Sequence, residues 1–382
     1  MNTFKKVIQL MVMTLLLVAF APYSMGSFTP ALKNPPPLPV IDWTANGAQI
    51  PVLSQDQSLR QCDRALIVWT NAEWAALDHV FCSSQTPMQY TSATSTSGWS
   101  THWASYKGTE QLPQGAYYWF KYCYVDLTPD VTVCLVKAGI HLDIKSEGQV
   151  PFDQMLELVM KNVSPKLFVT TGTAGGASVF QTLGTSMAVT SASYQTDSSI
   201  VPDSNWPTYT SNWQPSPNLS QALALSTTVP VTADDLAATV TEFNSSYTYN
   251  FTLRQLDPDN LLMQVYPSPM CDYTYQTPIP LLTGTAFLTG TNDNLYGKYA
   301  FIEMDDAEIF RYVQANYPGV TLGAVRDISD PVQNVNLLPS EAQGNWGSAI
   351  YATYGFYTAS NSAILSWACL VTGNISAPAT QD

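Results

Sequence analysis

Two apolar runs near the end of the chain finish on carboxylates. The run "YAFIEMDDAEIF" includes Asp305, and the run "GVTLGAVRDISD" ends on Ser329 and Asp330. Carboxyl groups held in different environments can serve as general acid and general base in one reaction, because burial and neighbouring charges separate their pKa values. Open α/β sheets bind ligands at the carboxyl ends of their strands. These acids are therefore candidates for a site of proton transfer.

The stretches that must position such acids alternate between strand and helix patterns. "ALIVWT" predicts a strand over 65–70, and "NAEWAALDHVF" continues with apolar residues at helical spacing and with Glu73 in its first turn. "YYWFKYCYV" and "VTVCLVKAG" predict two strands around a turn, and "PFDQMLELVMKNV" predicts a helix. "KLFVTTGTAGG" predicts a buried strand that enters a glycine-rich turn. This alternation predicts an α/β layered domain.

The C-terminal part continues the same alternation. "YAFIEM" and "VTLGAVRDIS" predict strands, and a helix is predicted between them over 305–315. The last segment, "GSAIYATYGFYTASNSAILSWACLV", is long and apolar but contains Ser, Thr, Asn and Tyr. A membrane span tolerates such polar groups poorly, so this segment predicts a packed helix.

The N-terminus has the layout of an export signal. Two lysines precede an apolar stretch, and small residues follow it, so 1–26 predicts a cleaved signal peptide and a secreted or periplasmic protein without a stable membrane span in its mature form. The alternative is an uncleaved anchor. "NPPPLPV" makes 27–60 an extended lead-in. The remainder, 61–382, predicts a single domain, in which 195–260 is rich in Ser, Thr, Pro and Asn and predicts a large insertion.

Charge excludes one class of partner. The chain has 15 Lys and Arg against 29 Asp and Glu, a formal net charge of −14. A protein this acidic is a poor partner for nucleic acid. No cofactor is predicted.

The cysteines lie in the part that follows the signal, where an even number can pair. They are Cys62, Cys82, Cys123, Cys134, Cys271 and Cys369. Because Cys123 and Cys134 flank the turn "DLTPDV", the pattern favours a disulfide between them, with buried free thiols as the alternative. Neither the cysteines nor the histidines (His79, His102 and His141) show metal-ligand spacing, so no metal site is predicted.

Several short motifs occur in an order that is more specific than any one of them. They are "ALIVWTNAEWAAL", "KAG", "SPKLFVTTGTAGG", "LGTSMAVTSA", "TGTAFL", "IEMDDAEI" and "VRDISD". From about residue 63 to about residue 370 the chain resembles the nucleoside phosphorylase and nucleosidase superfamily, and relative to that superfamily the regions near 85–115 and 195–260 look like insertions. The resemblance implies a three-layer α/β/α fold with a central mixed β-sheet, a homo-oligomer, and cleavage of the N-glycosidic bond of a purine nucleoside as a small-molecule substrate.

The resemblance also assigns roles to single residues. Asp330 matches the acid that protonates N7 of the leaving purine, and Ser329 helps to orient it. Glu73 matches the glutamate that activates water in nucleosidases. The substrate-binding matches are Phe287, which stacks on the base, Leu288, whose backbone reads the base edge, and Met304 with Asp305, which pack under the ribose and accept its hydroxyl protons.

The sequence differs from the superfamily at the positions that would bind the sugar and the phosphate. Position 305 is Asp where the family usually has Glu. The phosphorylases carry arginines where this chain reads "TNAEW" and "KAGIHLD", and Lys137 is the only cation near the second of these places. A lysine offers phosphate a point charge without the bidentate fork of arginine. These departures favour water over phosphate as the nucleophile. The alternative is a nucleoside-binding protein of uptake-associated or storage type with weak or absent catalysis.

Each candidate also has a structural interpretation. Asp330 would suit a helix N-cap, and Glu73 would suit the first turn of a helix, where the dipole favours an acid. Phe287 would suit core packing. Glu303 and Asp306 are expected to be solvated or to cap a helix.

Overall fold

The structure is a computed structural model, and it describes fourteen ranges of the chain. They are 40–41, 43, 48–82, 102–113, 115–142, 146–177, 183–194, 206–213, 215, 226–227, 233–257, 280–284, 299–332 and 338–371. The expected signal peptide, Cys271, Phe287 and Leu288 lie outside the described residues.

Strands and helices alternate along the described chain. The strands are β1 (Val40–Ile41), β2 (Val52–Leu53), β3 (Arg64–Val68), β4 (Ala104–Tyr106), β5 (Phe120–Thr128), β6 (Val131–Ala138), β7 (Leu167–Gly176), β8 (Ser186–Ala188), β9 (Ser191–Tyr194), β10 (Thr208–Thr210), β11 (Ser226–Thr227), β12 (Pro280–Thr283), β13 (Phe301–Glu303) and β14 (Thr321–Pro331). The helices are α1 (Asn71–Leu77), which continues as a π-helical turn (Asp78–Cys82), α2 (Ser146–Val163), α3 (Ala233–Tyr247), α4 (Leu253–Leu256), α5 (Asp306–Asn316) and α6 (Ser340–Val371).

Within the described ranges, twelve strands form one mixed sheet. Its central path runs β10-β9-β12-β13-β7-β3-β6-β5-β2, while β14 pairs with β7 and β8, and β4 pairs with β5. Strand β7 is parallel to β3 and β14 but antiparallel to β13. Strand β13 therefore runs in the direction opposite to β7, whereas β14 runs beside β7 in the same direction.

Helices cover both faces of this sheet. Along β3, Ala65 and Ile67 pack into one core with α2, α3 and α5, while Leu66 and Val68 pack into a second core with α1 and the second half of α6. This alternation follows from the two-residue period of a strand. The predicted three-layer α/β/α arrangement with a mixed sheet is confirmed.

The glycine-rich turn expected at the end of "KLFVTTGTAGG" is wrong. "GTAGG" lies inside β7, which is buried along its whole length. The small residues permit close approach of neighbouring side chains: a Cβ at position 175 would lie 1.9 Å from Cγ2 of Val332. Glycine serves here for space in a strand rather than for a turn.

The predicted Cys123–Cys134 disulfide is also wrong. In the β5–β6 hairpin Cys123 is opposite Leu135, and Cys134 is opposite Tyr124. The one-residue offset places the two thiols on opposite faces of the sheet, in different cores. Both cysteines are free in the structure, as the alternative expected.

The apolar C-terminal segment forms helix α6, as predicted, and most of its residues from Tyr354 to Leu370 are buried against the sheet and α1. Among the described residues, no helix combines the length and apolarity that crossing a membrane requires.

Candidate active site

Glu73 is buried at the start of α1, and its carboxylate is fully engaged by the protein. Oε2 accepts hydrogen bonds from the backbone N–H groups of Trp69 (2.9 Å) and Thr70 (2.8 Å). Oε1 accepts from the backbone N–H and the Oγ1 of Thr173, both at 2.8 Å. Thr70 and Glu73 form a capping box, so Glu73 lies in the first turn of the helix and caps its start. The bond to Thr173 adds a link from α1 to β7.

Gly172 makes this link possible. Its φ of +149° is a backbone conformation that side-chain-bearing residues rarely adopt, and a Cβ there would lie 2.3 Å from Oε1 of Glu73. Only glycine therefore leaves room for the carboxylate against the strand.

Asp330 is aimed by a β-bulge near the end of β14. Ile328 is opposite Ala174 and Asp330 is opposite Gly175, so Ser329 is the extra residue. Bulges re-aim side chains and are frequent next to active sites. The Oγ of Ser329 donates a 2.6 Å hydrogen bond to Oδ1 of Asp330, as the predicted orienting role requires. Asp330 lies within strand β14 and does not cap a helix, so its structural interpretation as an N-cap is wrong.

The environment of Asp330 suits a proton donor. Only 3% of the residue is exposed, and its Oδ2 has no hydrogen-bond partner among the described residues. Burial raises the pKa of this carboxyl to about 6, against a smaller opposing effect of the Ser329 hydrogen bond. A carboxyl in this range holds its proton at mildly acidic pH and can release it to a base.

Glu303 and Asp306, expected to be solvated or capping, are both buried, and neither is solvated. Glu303 does cap: it accepts hydrogen bonds from the backbone N–H groups of Asp305 and Asp306 at the start of α5. Asp306 instead pairs with Arg326, whose Nε and Nη2 donate to its two carboxylate oxygens at 2.9 and 2.5 Å. Thr170 of β7 donates to the same carboxylate at 2.7 Å. This clamp, Asp306–Arg326–Thr170, ties α5 to β14 and β7.

Asp305 is close enough to this clamp and to Glu73 for the charges of both to act on it. Burial, and then the neighbouring charge of Glu303, raise the pKa of Asp305 well above its ordinary value, and the charge of Glu73 acts in the same direction. Its Oδ1 has no hydrogen-bond partner among the described residues. A protonated carboxyl at this position could donate a hydrogen bond to a sugar hydroxyl, and Met304 beside it is partly exposed.

Lys137 contributes a cation near Glu73, and a second lysine accompanies it. Lys121 of β5 is directly opposite Lys137 of β6, and both ammonium groups lie near the rings of Trp74 and Tyr118. Burial lowers the pKa of Lys137 to about 8, although the charge of Glu73 opposes this. Like charges directly opposite in a sheet are unfavourable, so the pair is a candidate position for an anion.

Asp327 was missed as a site candidate. It is completely buried on β14 beside α6, and its burial raises its pKa to about 8, with the charge of Glu73 contributing. No described group donates a hydrogen bond of normal geometry to it, and the nearby hydroxyls of Thr358 and Ser362 donate to helix carbonyls. A protonated Asp327 can donate to those hydroxyl oxygens. The one feature of the sequence that could have indicated a buried acid here is the position of Asp327 within the apolar pattern of β14.

The structure places Glu73, Ser329 and Asp330 along one stretch of β7, while Lys137 lies on β6 and Asp305 at the start of α5. Glu73 binds Thr173, and its charge acts on Asp305 and Lys137. Asp330 is opposite Gly175, two residues or about 7 Å further along the strand.

Comparison with solved structures finds proteins similar in fold. An S-adenosylhomocysteine nucleosidase from Streptococcus pyogenes matches with a TM-score of 0.45 and 10% identity over 83% of this chain and 99% of that chain. A 5′-methylthioadenosine/S-adenosylhomocysteine nucleosidase from Neisseria meningitidis matches with 0.42 and 10% over 81% and 99%. Futalosine hydrolase of Helicobacter pylori matches with 0.41 and 10% over 80% and 98%.

No protein-family model and no curated protein matches the chain. At the TM-scores and identities above, the structural likeness decides nothing about chemistry, which depends on the side chains of this chain.

Proposed function

We propose that this protein cleaves the N-glycosidic bond of a purine nucleoside, with Asp330 as the general acid. The observation that carries the proposal is the buried carboxyl of Asp330, with a raised pKa, an oriented Oδ1 and an Oδ2 that no described group engages. Breaking this C–N bond leaves negative charge on the base and positive charge on the sugar. A proton delivered to the base removes the first charge, and a nearby carboxylate stabilises the second.

The two ends of the site would then divide the work. Asp330 and Ser329 serve the base, while Glu73, Met304 and Asp305 serve the sugar and the nucleophile. The hydroxyl of Thr173 donates a hydrogen bond to the Glu73 carboxylate. A water molecule that replaced this hydroxyl as the donor would be activated by the carboxylate. We propose water as the nucleophile, because the described site contains lysines but no arginine fork for phosphate.

Two observations favour other outcomes at the same site. The Lys121–Lys137 pair offers a position for phosphate, which favours phosphorolysis. All four acceptor positions of the Glu73 carboxylate are filled by the protein, which favours binding of a nucleoside without cleavage.

One assay separates these outcomes. The full chain is incubated with inosine, adenosine and guanosine, with and without phosphate, and released base and sugar are quantified by chromatography. Hydrolysis predicts free base and ribose without phosphate, and Asp330→Asn should lower the rate about 10²–10⁴-fold with nucleoside binding retained. Strict phosphate dependence with ribose 1-phosphate as product would replace the water mechanism. Tight binding of a nucleoside with no release of base would show that the protein binds nucleosides without cleaving them.

We further propose that 1–26 directs export. Fusing 1–30 to a reporter should deliver the reporter to the periplasm or medium and shorten it, whereas an uncleaved anchor would leave it full-length in the membrane fraction.

A further inference from the structure

A second group of reactive side chains lies beyond the C-terminal end of α1. It consists of Cys82 at the end of the π-helical turn, His102 just before β4, and Cys123 on β5; we refer to these three as the thiol–imidazole cluster. Their sulfur and ring nitrogen atoms all lie within 4.8 Å of one another. The proposed nucleoside chemistry uses none of them.

The distances fit a shared metal ion. Zinc binds thiolate sulfur at about 2.3 Å and imidazole nitrogen at about 2.0–2.1 Å, so ligand atoms of a tetrahedral site lie roughly 3.5–4 Å apart. Small side-chain movements would close the cluster to that spacing. Three separate elements supply the ligands, so an ion would join segments that are far apart in the sequence.

Asp78 completes the arrangement from one side. Its Oδ1 lies 3.3 Å from Nε2 of His102 and accepts a 2.9 Å hydrogen bond from Nε1 of Trp103. A histidine that binds metal usually directs its other ring nitrogen to a carboxylate, which fixes the ring and makes it a better ligand. With Nε2 facing Asp78, Nδ1 is the nitrogen that can take the ion.

We propose that Cys82, His102 and Cys123 bind a zinc ion, with Asp78 orienting His102. Two thiols and an imidazole select a soft or borderline cation such as zinc over magnesium or calcium, which prefer oxygen ligands. Binding displaces the protons of both thiols to solvent. The fourth ligand is a water molecule, which can enter because His102 keeps 14% of its side chain exposed.

A disulfide between Cys82 and Cys123 is the competing explanation. It would account for the two sulfur atoms but would leave the alignment of His102 with a buried carboxylate without a purpose. Both cysteines are free in the structure.

The site would stabilise the helix that carries Glu73. Asp78 and Cys82 belong to the π-helical turn that continues α1, and Trp103 packs edge-on against Trp74 at 5.7 Å between ring centroids. An ion held by Cys82 and Cys123 would anchor this turn to β5.

The test uses the full chain, reduced, loaded with zinc and washed by gel filtration, with metal measured by mass spectrometry. We expect about one zinc per chain in the wild type and in Cys134→Ser, a control that removes a buried thiol from the opposite face of the sheet. Cys82→Ser and His102→Gln should lose the zinc while keeping the wild-type circular dichroism spectrum.

A second measurement needs no variant. Cobalt(II) added to the reduced wild-type protein should give the intense near-ultraviolet absorption of thiolate–cobalt charge transfer, and zinc should abolish it by displacement. Wild-type protein without zinc and without this absorption would overturn the proposal, as would zinc retained in folded Cys82→Ser. A Cys82–Cys123 disulfide found in the unreduced protein by peptide mass spectrometry would replace the site by a covalent link. None of these measurements involves nucleoside cleavage, so their failure leaves the proposed function untouched.

Discussion

At the scale of single residues, Asp330 differs from Glu73 in how its two carboxylate oxygens are held. Oδ1 is fixed by Ser329, whereas Oδ2 has no hydrogen-bond partner among the described residues. Glu73 has the opposite character, with four protein donors on its carboxylate. The first environment suits a group that exchanges a proton, whereas the second holds the Glu73 carboxylate in one fixed position.

The pH dependence of activity should report Asp330. If its protonated form is the catalyst, kcat/KM should fall as pH rises through about 6, the raised pKa of this carboxyl. The Ser329 hydrogen bond lowers that pKa, so Ser329→Ala should move the alkaline limb of the profile upward by roughly 0.5–1 pH unit. A limb that stays in place in Ser329→Ala would show that another group controls it.

At the scale of elements, Gly172 leaves room for the hydrogen bonds between Glu73 and Thr173 that join α1 to β7. Gly172→Ala should destabilise the fold by about 1–3 kcal/mol or more, because it combines an unfavourable φ with a clash against Glu73. Gly115→Ala is the matched control, since Gly115 also has a positive φ (+86°) but has nothing within 4 Å of its added Cβ. Urea denaturation should show the larger loss for Gly172→Ala. Equal losses of unfolding free energy in the two variants would show that the clash of the added Cβ with Glu73 does not destabilise the fold.

The clamp of Asp306, Arg326 and Thr170 holds the start of α5, which carries Asp305, against the sheet. Arg326→Met leaves a buried Asp306 without its cation and should lower the free energy of unfolding by about 3–5 kcal/mol. Lys166→Met breaks an ion pair with Asp63 in which both side chains are more than half exposed, and should cost at most about 1 kcal/mol. If chemical denaturation gave similar losses of unfolding free energy for Arg326→Met and Lys166→Met, the clamp would not contribute to stability as proposed.

At the scale of the whole molecule, several buried acids make stability depend on pH. The pKa of Asp327 in the folded protein is about 8 against an ordinary 3.8, so between these values the folded state binds a proton that the unfolded state has released. The stabilisation from this proton is complete below the unfolded pKa and is lost as pH rises through the folded one.

Asp327→Asn should remove this contribution. Its melting temperature relative to the wild type should therefore increase between pH 6 and pH 9, while Asp130→Asn, at the exposed β5–β6 turn, should follow the wild type at both pH values. A constant difference between Asp327→Asn and the wild type across this range would show that Asp327 does not titrate there.

Local features, and the order in which they occur along the chain, could be predicted from the sequence alone. Periodicity located β3, the β5–β6 hairpin, α5 and the apolar helix α6, because these patterns depend on neighbours in the chain. The order of short motifs singled out Asp330, Ser329 and Glu73, and the structure brings these residues to one stretch of β7.

Features that depend on partners distant in sequence became visible only in the folded chain. The register of one hairpin separated Cys123 from Cys134, while packing across α1 and β5 brought Cys82, His102 and Cys123 together. Likewise, Asp306 was expected to be solvated or to cap a helix, but the packing of α5 against β14 pairs it with Arg326. A single sequence contains no signal for such pairs, because burial and charge pairing arise only when separate elements pack.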